Sequence, residues 1–138
     1  MTPGVRFVRF NAAGLLGIGV QLVVLWALVR LLALNFIVAT AIAVVAAIAH
    51  NFIWHWQWTW ADRRMPIVLV PGAFLRFAAT NGAVSLVGNV VLMWMLVTGA
   101  GLQPIVANLV AISACGLVNF WLADRLVFVS PRAMPRSG

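Results

Sequence analysis

Long runs of apolar residues, separated by short polar stretches, dominate the 138 residues of the chain. An α-helix rises 1.5 Å per residue, so about 20 apolar residues are needed to cross a hydrocarbon layer about 30 Å thick. Four runs reach that length: about Asn11–Leu31, Leu34–Trp54, Phe74–Val97 and Pro104–Ala123. The pattern therefore predicts an all-α membrane protein with four transmembrane helices, forming a single domain over residues 1–138.

The stretches between these runs indicate how the helices connect. Leu32–Ala33 and Thr98–Gln103 are short, which makes each consecutive pair of helices an antiparallel hairpin. Ala61–Ala73 is longer and contains two prolines, so it is predicted to be the only substantial loop.

Composition excludes a soluble domain of this length. Hydrophobic residues make up 64% of the chain and charged residues only 8%, and the mean hydropathy is +1.08. A small soluble protein must cover a large fraction of its surface with polar groups. Lipid is therefore the expected solvent for most of the chain.

The distribution of arginine predicts the orientation. All nine cationic side chains are arginine, against two acids. Those at one end of the predicted spans are Arg6, Arg9, Arg63, Arg64, Arg76, Arg125, Arg132 and Arg136, and only Arg30 lies at the other end. Since cytoplasmic loops are enriched in cations, both termini and the central loop are predicted to be cytoplasmic. The arginines form no single stripe, so anionic lipid head groups or phosphate ligands are expected as partners, and nucleic acid is not.

The two halves of the sequence resemble each other at an offset of 68 residues. Gly14–Phe52 has 13 identities in 39 ungapped positions with Gly82–Phe120, among them paired glycine, tryptophan and Asn-Phe positions. Each half contains two spans, so the halves are predicted to be tandem hairpin repeats of the same orientation, related by an axis along the membrane normal.

Several polar side chains fall within the apolar runs, where they are costly and therefore candidates for function. Asn81, Ser85 and Asn89 share one face of the third predicted helix. The others are Asn108, Ser113 and Asn119 in the fourth run and Gln21 in the first, which is equivalent to Asn89 in the repeat. Two interpretations stay open: hydrogen bonds between helices, or a polar seam along which a head group moves.

No arrangement typical of catalysis or metal binding is found. His50 and His55 are five residues apart, and Cys115 is the only cysteine, so no metal site is predicted. No nucleophile–base set or phosphate-binding glycine loop is present, and neither an enzyme nor a cofactor is expected. A proton-coupled drug exporter is disfavoured as well, because no acidic residue lies deep in a span.

Short motifs at the ends of the spans carry a resemblance to a known family. Arg9-Phe10 precedes Gly14 in the first span, and the second and fourth spans end in Asn51–Trp60 (NFIWHWQWTW) and Asn119–Phe128 (NFWLADRLVF). These elements resemble the GtrA-like family of small membrane proteins, whose second and fourth spans end in a pattern close to N-F-x-x-N-R-x-W-T-F. The similarity covers about residues 5–130.

Two positions depart from that pattern. Trp56 occupies the usual arginine position of the first motif, and Asp124 stands where asparagine is common in the second. Identical phosphate binding by the two halves is therefore not implied.

The resemblance implies that the chain moves polyprenyl-phosphate-linked sugars across the bacterial cytoplasmic membrane, for synthesis or modification of cell-surface polysaccharide or lipopolysaccharide. A membrane glycosyltransferase would be the partner that makes the lipid-linked sugar. The alternative function is a non-transporting adaptor that anchors or regulates such an enzyme. Because four helices enclose little space, a homodimer is also expected.

The candidate substrate-binding residues are Arg9, Arg76 and Arg125 for the phosphate, Asn51, Asn81, Asn89 and Asn119 for the sugar or phosphate, Asp124 beside Arg125, and Trp54 and Trp58 for a sugar ring or the prenyl chain. Guanidinium groups bind phosphate oxygens in pairs. The arginines are equally explained as anchors that contact anionic membrane lipids, and the tryptophans as part of an aromatic belt.

Overall fold

The computed structural model describes residues 1–129, so the predicted topological arginines Arg132 and Arg136 lie outside the described residues. Over the described range the chain is helical and has no strand. Within residues 1–129, four helices are long and apolar enough to cross a membrane: Pro3–Arg30, Phe36–Thr59, Ile67–Gly99 and Pro104–Val127. They are called the first to fourth membrane helices below. The predicted all-α membrane fold is confirmed.

Two helices begin earlier than the predicted membrane spans, and both begin next to a proline; the span bounds themselves stay a prediction. The first helix begins at Pro3, eight residues before the predicted start, and the loop predicted at Ala61–Ala73 is mostly helical. Within that loop, short turns form at Ala61–Arg63 and Ile67–Leu69, and the α-helix of the third membrane helix starts at Val70 with Pro71 in its first turn. Proline lacks the N–H that is unsatisfied in a first turn anyway, so it starts these helices instead of breaking them.

The third membrane helix is not a uniform α-helix. Its α-helical segments Val70–Ala83 and Asn89–Trp94 are followed by π-helical turns at Val84–Gly88 and Met95–Gly99. Single π turns inside α-helices are frequent at functional sites. The turn at Val84–Gly88 therefore marks the middle of this helix as a region of interest.

The chain divides into two compact units, Met1–Arg64 and the part from Met65 onward. The first unit contains the first two membrane helices, and the second unit contains the other two. The prediction of a single domain over residues 1–138 stays a prediction.

Small residues form the core of each hairpin. In the second membrane helix Ala39, Ala43 and Ala47 are buried, and in the fourth Ala107, Ala111 and Cys115 are buried. Many large aliphatic side chains face outward, with Leu15 and Leu86 each 70% exposed, whereas the large buried side chains are mainly aromatic and include Trp60, Phe77 and Phe128. Small residues allow helix backbones to approach closely in lipid, and outward-facing leucine is favourable where the surrounding solvent is hydrocarbon.

The two hairpin links have the same geometry. The Leu34 N–H donates to the Leu28 carbonyl at 3.0 Å, and the Leu102 N–H donates to the Leu96 carbonyl at 2.9 Å. In each link one residue has positive φ: Ala33 at 49° and Gly101 at 67°. These pairs are 68 residues apart, which supports the tandem repeat.

The second and fourth membrane helices also end alike. Each finishes in a π turn, His55–Thr59 or Ala123–Val127. The Trp60 N–H donates to the His55 carbonyl and the Phe128 N–H to the Ala123 carbonyl, both at 2.8 Å. These turns are 68 residues apart as well. The repeat itself stays a prediction, now with structural correspondences at the links and at the helix ends.

Candidate functional site

A cavity of about 380 Å³ lies between the third and fourth membrane helices, within the second unit. Its lining residues are Ser85, Leu86, Asn89, Val90, Met93 and Asn108. Ser85 and Asn89 are four residues apart and project on one side of the third helix. The sequence predicted this polar face, and the structure makes it one wall of a cavity.

The cavity lies well inside the length of the two helices. Asn108 is four residues from the start of the fourth helix at Pro104, and Asn89 is ten residues from the end of the third helix at Gly99. At 1.5 Å per residue these positions are about 6 Å and about 15 Å from the helix ends. With Gly99 at the edge of a hydrocarbon layer about 30 Å thick, Asn89 would lie near the middle of that layer.

Hydrogen bonding in and beside the cavity is incomplete. Asn119 is 8% exposed, and its Nδ2 donates to the Ser85 Oγ at 3.0 Å. The Oδ1 atoms of Asn119 and Asn89 are buried and have no hydrogen-bond partner within residues 1–129. Leaving a buried acceptor unsatisfied costs about 1–3 kcal/mol. Such atoms are therefore candidates for binding a ligand.

Asn81, the third polar residue of the predicted face, does not line the cavity. It is half-buried, one turn before Ser85. The π turn at Val84–Gly88 lies between Asn81 and Asn89 and changes the angular phase of the helix. The predicted three-residue face therefore contributes two of its members to the cavity.

In the first unit, three of the predicted residues lie together. Arg9 donates from Nη1 to the Trp58 carbonyl at 2.9 Å, and its guanidinium carbon lies 5.2 Å from the centroid of the Trp58 ring. Trp58 packs edge-on against Trp54, with ring centroids 5.7 Å apart. This cation–π arrangement fixes the guanidinium beside an aromatic surface.

The Asn51 side chain is packed closely against Gly17 of the first membrane helix. A Cβ atom built on Gly17 would lie 2.6 Å from the Asn51 Cγ, so the amide occupies the space that a side chain at Gly17 would need. The Asn51 Oδ1 is also 3.3 Å from the His50 Nδ1. Gly17 and Asn51 are the repeat equivalents of Ser85 and Asn119.

The remaining predicted residues are not part of either group. Arg76 and Arg125 are exposed, and Asp124 is half-buried. None of the three lines the cavity. Their position near the helix ends is compatible with capture of a phosphate and equally with contact to anionic lipid.

An ion pair in the first unit was not predicted. Arg6 is 8% exposed and donates from Nη2 to Asp62 at 2.5 Å, and the amino group of Met1 lies 3.5 Å from the same carboxylate. Burial tends to raise the pKa of Asp62, but the hydrogen bond and charge of Arg6 outweigh it, so the pKa is lowered below its ordinary value. The one available signal was that Asp62 is one of only two acids in the chain.

An aromatic cluster in the first unit was also missed. The His55 ring stacks on Phe10 with centroids 4.6 Å apart, and Trp60 packs edge-on against both rings. The Nδ1 of His55 is 3.1 Å from the Thr59 Oγ1. The motif ending the second membrane helix thus supplies a packed cluster that holds the start of the first helix.

Comparisons with known proteins agree with this architecture. Residues 9–128 match the family described as GtrA/DPMS, transmembrane domain. The chain is also 35% identical over 107 residues to the dolichol-phosphate mannosyltransferase of Pyrococcus furiosus, an alignment that covers 78% of this chain. It spans only 29% of the length of that relative. On the match over residues 9–128, this chain belongs to the GtrA/DPMS transmembrane domain family.

Proposed function

We propose that this chain moves a polyprenyl-phosphate-linked sugar across the bacterial cytoplasmic membrane, as a carrier and not as an enzyme. Family membership and the similarity to a dolichol-phosphate mannosyltransferase link the chain to polyprenyl-phosphate sugar metabolism. Dolichol is itself a polyprenol, so the shared chemistry is a sugar joined through phosphate to a long isoprenoid. The product would supply cell-surface polysaccharide or lipopolysaccharide.

The observation that carries this proposal is the polar cavity between the third and fourth membrane helices. A polyprenyl tail can stay in lipid during crossing, but the sugar and phosphate lose water and need hydrogen bonds. Ser85, Asn89 and Asn108 offer such groups along the cavity, and of the two amides Asn89 is the one farther from a helix end, where the loss is greater. A cavity open to lipid on one side suits a ligand whose tail never leaves the bilayer.

The arginines complete the proposal. With both termini on the cytoplasmic side, as the arginine bias supports, Arg9, Arg76 and Arg125 lie where a phosphate would first be captured. Trp54 and Trp58 would pack against the sugar or the prenyl chain beside Arg9. Asn51, Asn81, Asn119 and Asp124 are then accessory polar groups along the two units.

The test uses purified protein in liposomes that contain a polyprenyl-phosphate hexose. Membrane-impermeant periodate, which cleaves vicinal diols, reports the fraction of sugar exposed outside. We expect the protected inner fraction to become accessible faster with the protein than in empty liposomes. Arg125→Ala should slow this crossing, whereas Arg30→Ala, at the opposite end of the helices, should not. No acceleration in vesicles shown to contain folded protein would contradict the proposal.

One observation favours a second function, a non-transporting adaptor for a glycosyltransferase. The chain corresponds to only 29% of the mannosyltransferase that it resembles, so a similar membrane part belongs to a longer protein there. An adaptor would retain the partner enzyme without accelerating crossing. Co-purification of the enzyme with Arg125→Ala, combined with loss of glycolipid crossing, would instead favour the carrier.

A homodimer is part of the carrier proposal, because four helices enclose little space for a head group. A cysteine introduced at the exposed position Val8, in a Cys115→Ala background, allows cross-linking in the membrane. We expect a dimer band whose yield does not fall when the protein is diluted in lipid. Monomer alone at every density would contradict the dimer.

A further inference from the structure

The lining of the cavity between the third and fourth membrane helices is uncharged. It consists of one hydroxyl, two primary amides, two aliphatic side chains and one thioether, from Ser85, Asn89, Asn108, Leu86, Val90 and Met93. Isolated charges are strongly disfavoured in a medium of low dielectric constant. A phosphate placed here would have no cation within the lining to compensate it.

We infer that this cavity binds the sugar ring of the lipid-linked head group, that it selects a neutral sugar, and that Asn89 is the residue that determines this specificity. The inference rests on the proposed function and deepens it. The phosphate then lies outside the cavity, and the discrimination is made by the sugar part alone.

The unsatisfied acceptor at Asn89 distinguishes between the two parts of the head group. Its Oδ1 is buried and accepts no hydrogen bond within residues 1–129, so it can accept one from a ligand. A phosphodiester monoanion has acceptor oxygens and no donor at neutral pH. Sugar hydroxyls both donate and accept, which makes the sugar the part that can satisfy Asn89.

Ser85 is positioned to form a hydrogen bond with the same kind of ligand. Its Oγ accepts a hydrogen bond from the Asn119 Nδ2 at 3.0 Å, which leaves the hydroxyl hydrogen available to donate onward. A chain of hydrogen bonds would then run from Asn119 through Ser85 to a sugar oxygen. Asn119, 8% exposed and not part of the lining, is a positioning residue for Ser85.

The size of the cavity suits a single sugar ring. Small-molecule sites range from about 300 to 1,000 Å³, and the volume of about 380 Å³ is near the lower end. One sugar ring is therefore enough to occupy the cavity.

The experiment measures equilibrium binding to the full chain in detergent, so that it does not depend on transport. Three short-chain probes are compared: a prenyl-phosphate hexose, the same prenyl phosphate without sugar, and a prenyl-phosphate uronic acid. Wild type should bind the hexose more tightly than the other two. Asn89→Leu should weaken hexose binding about tenfold, the effect of one lost buried hydrogen bond, and leave the sugar-free probe unchanged.

Two further variants control for folding and for general loss of polarity. Asn108→Leu changes an exposed lining residue, so it threatens folding least and should still weaken hexose binding selectively. Ser113→Ala is the matched control, because Ser113 is exposed outside the lining and donates to its own helix at the Leu109 carbonyl. It should bind all three probes as wild type does.

Equal weakening of hexose and sugar-free binding by the two lining variants, or no weakening by either, would overturn the inference. So would a wild type that binds the uronic acid as tightly as the hexose, or none of the probes. Selective binding without faster crossing in liposomes would instead sustain the inference and reject the transport proposal. Faster crossing in liposomes, combined with lining variants that weaken hexose and sugar-free binding equally, would reject the inference and sustain the transport proposal.

Discussion

Both units are helical hairpins, but the side chains of the equivalent residues Asn51 and Asn119 have different surroundings. In the first unit Asn51 packs against Gly17, where a side chain would have no space. In the second unit serine replaces that glycine, and Asn119 donates a hydrogen bond to Ser85. The first arrangement closes the helix pair, and the second keeps polar atoms beside a cavity. The two Asn-Phe elements thus differ in the small residue they meet on the neighbouring helix, which is Gly17 beside Asn51 and Ser85 beside Asn119.

The units also differ in the contacts made by some of their arginine side chains. In the first unit Arg6 pairs with Asp62 and Arg9 contacts Trp58. In the second unit Arg76 and Arg125 are exposed. In the first unit Arg6 and Arg9 are therefore held by side-chain contacts, whereas Arg76 and Arg125 of the second unit are exposed.

The largest expected effect is loss of the aromatic cluster that packs the first unit. Trp60 is fully buried against Phe10 and His55, so Trp60→Ala should lower the free energy of unfolding by about 3–5 kcal/mol. The measurement is SDS titration in mixed micelles. Trp26→Ala, at a position 59% exposed, should change it by less than about 0.5 kcal/mol. Similar losses for the two variants would show that the cluster does not stabilise the unit.

A smaller effect tests the packing of Asn51 against Gly17. Gly17→Ala should lower the free energy of unfolding by about 1–3 kcal/mol, because the new methyl group meets the Asn51 side chain. Asn51→Ala in the same chain should restore most of that loss. At Gly14, one turn earlier, a Cβ would meet nothing within 4 Å, so Gly14→Ala should stabilise by up to about 1 kcal/mol. Equal effects at the two glycines would contradict the close approach.

The smallest expected effect comes from substitutions in the two hairpin links. Ala33 and Gly101 occupy equivalent positions with φ of 49° and 67°, a region that costs a non-glycine residue about 1–2 kcal/mol. Ala33→Gly should therefore raise the free energy of unfolding by up to about 1 kcal/mol, since added freedom of the unfolded chain offsets part of the relief. Gly101→Ala should lower it by about 1 kcal/mol. Changes of the same sign would show that the links differ in geometry.

Much of the fold could be predicted from the sequence, because the four spans depend on the length of apolar runs alone. The helix starts could not, because Pro3 and Pro71 are compatible both with a loop and with a first helical turn. Proline that precedes a long apolar run, as Pro71 does, indicates a helix start and would have corrected the third boundary.

The candidate site could be predicted only where it follows from helix periodicity. The shared face of Ser85 and Asn89 was predicted from their spacing of four residues. The contact between Ser85 and Asn119 joins residues 34 apart, and the contact between Arg6 and Asp62 joins residues 56 apart. Such pairs depend on how helices pack, which no local pattern specifies. The repeat gave the best indication, because it pairs Gly17 with Ser85 and so identifies the position where the two units differ.

The most direct test of the account compares Gln21→Leu with Asn89→Leu, at equivalent positions of the two units. Periodate accessibility of a polyprenyl-phosphate hexose in liposomes gives the crossing rate for each variant. We predict that Asn89→Leu slows crossing about tenfold, while Gln21→Leu stays within about twofold of wild type, since the cavity lies in the second unit. Equal slowing by both variants, or slowing by Gln21→Leu alone, would contradict the claim that the second unit carries the sugar.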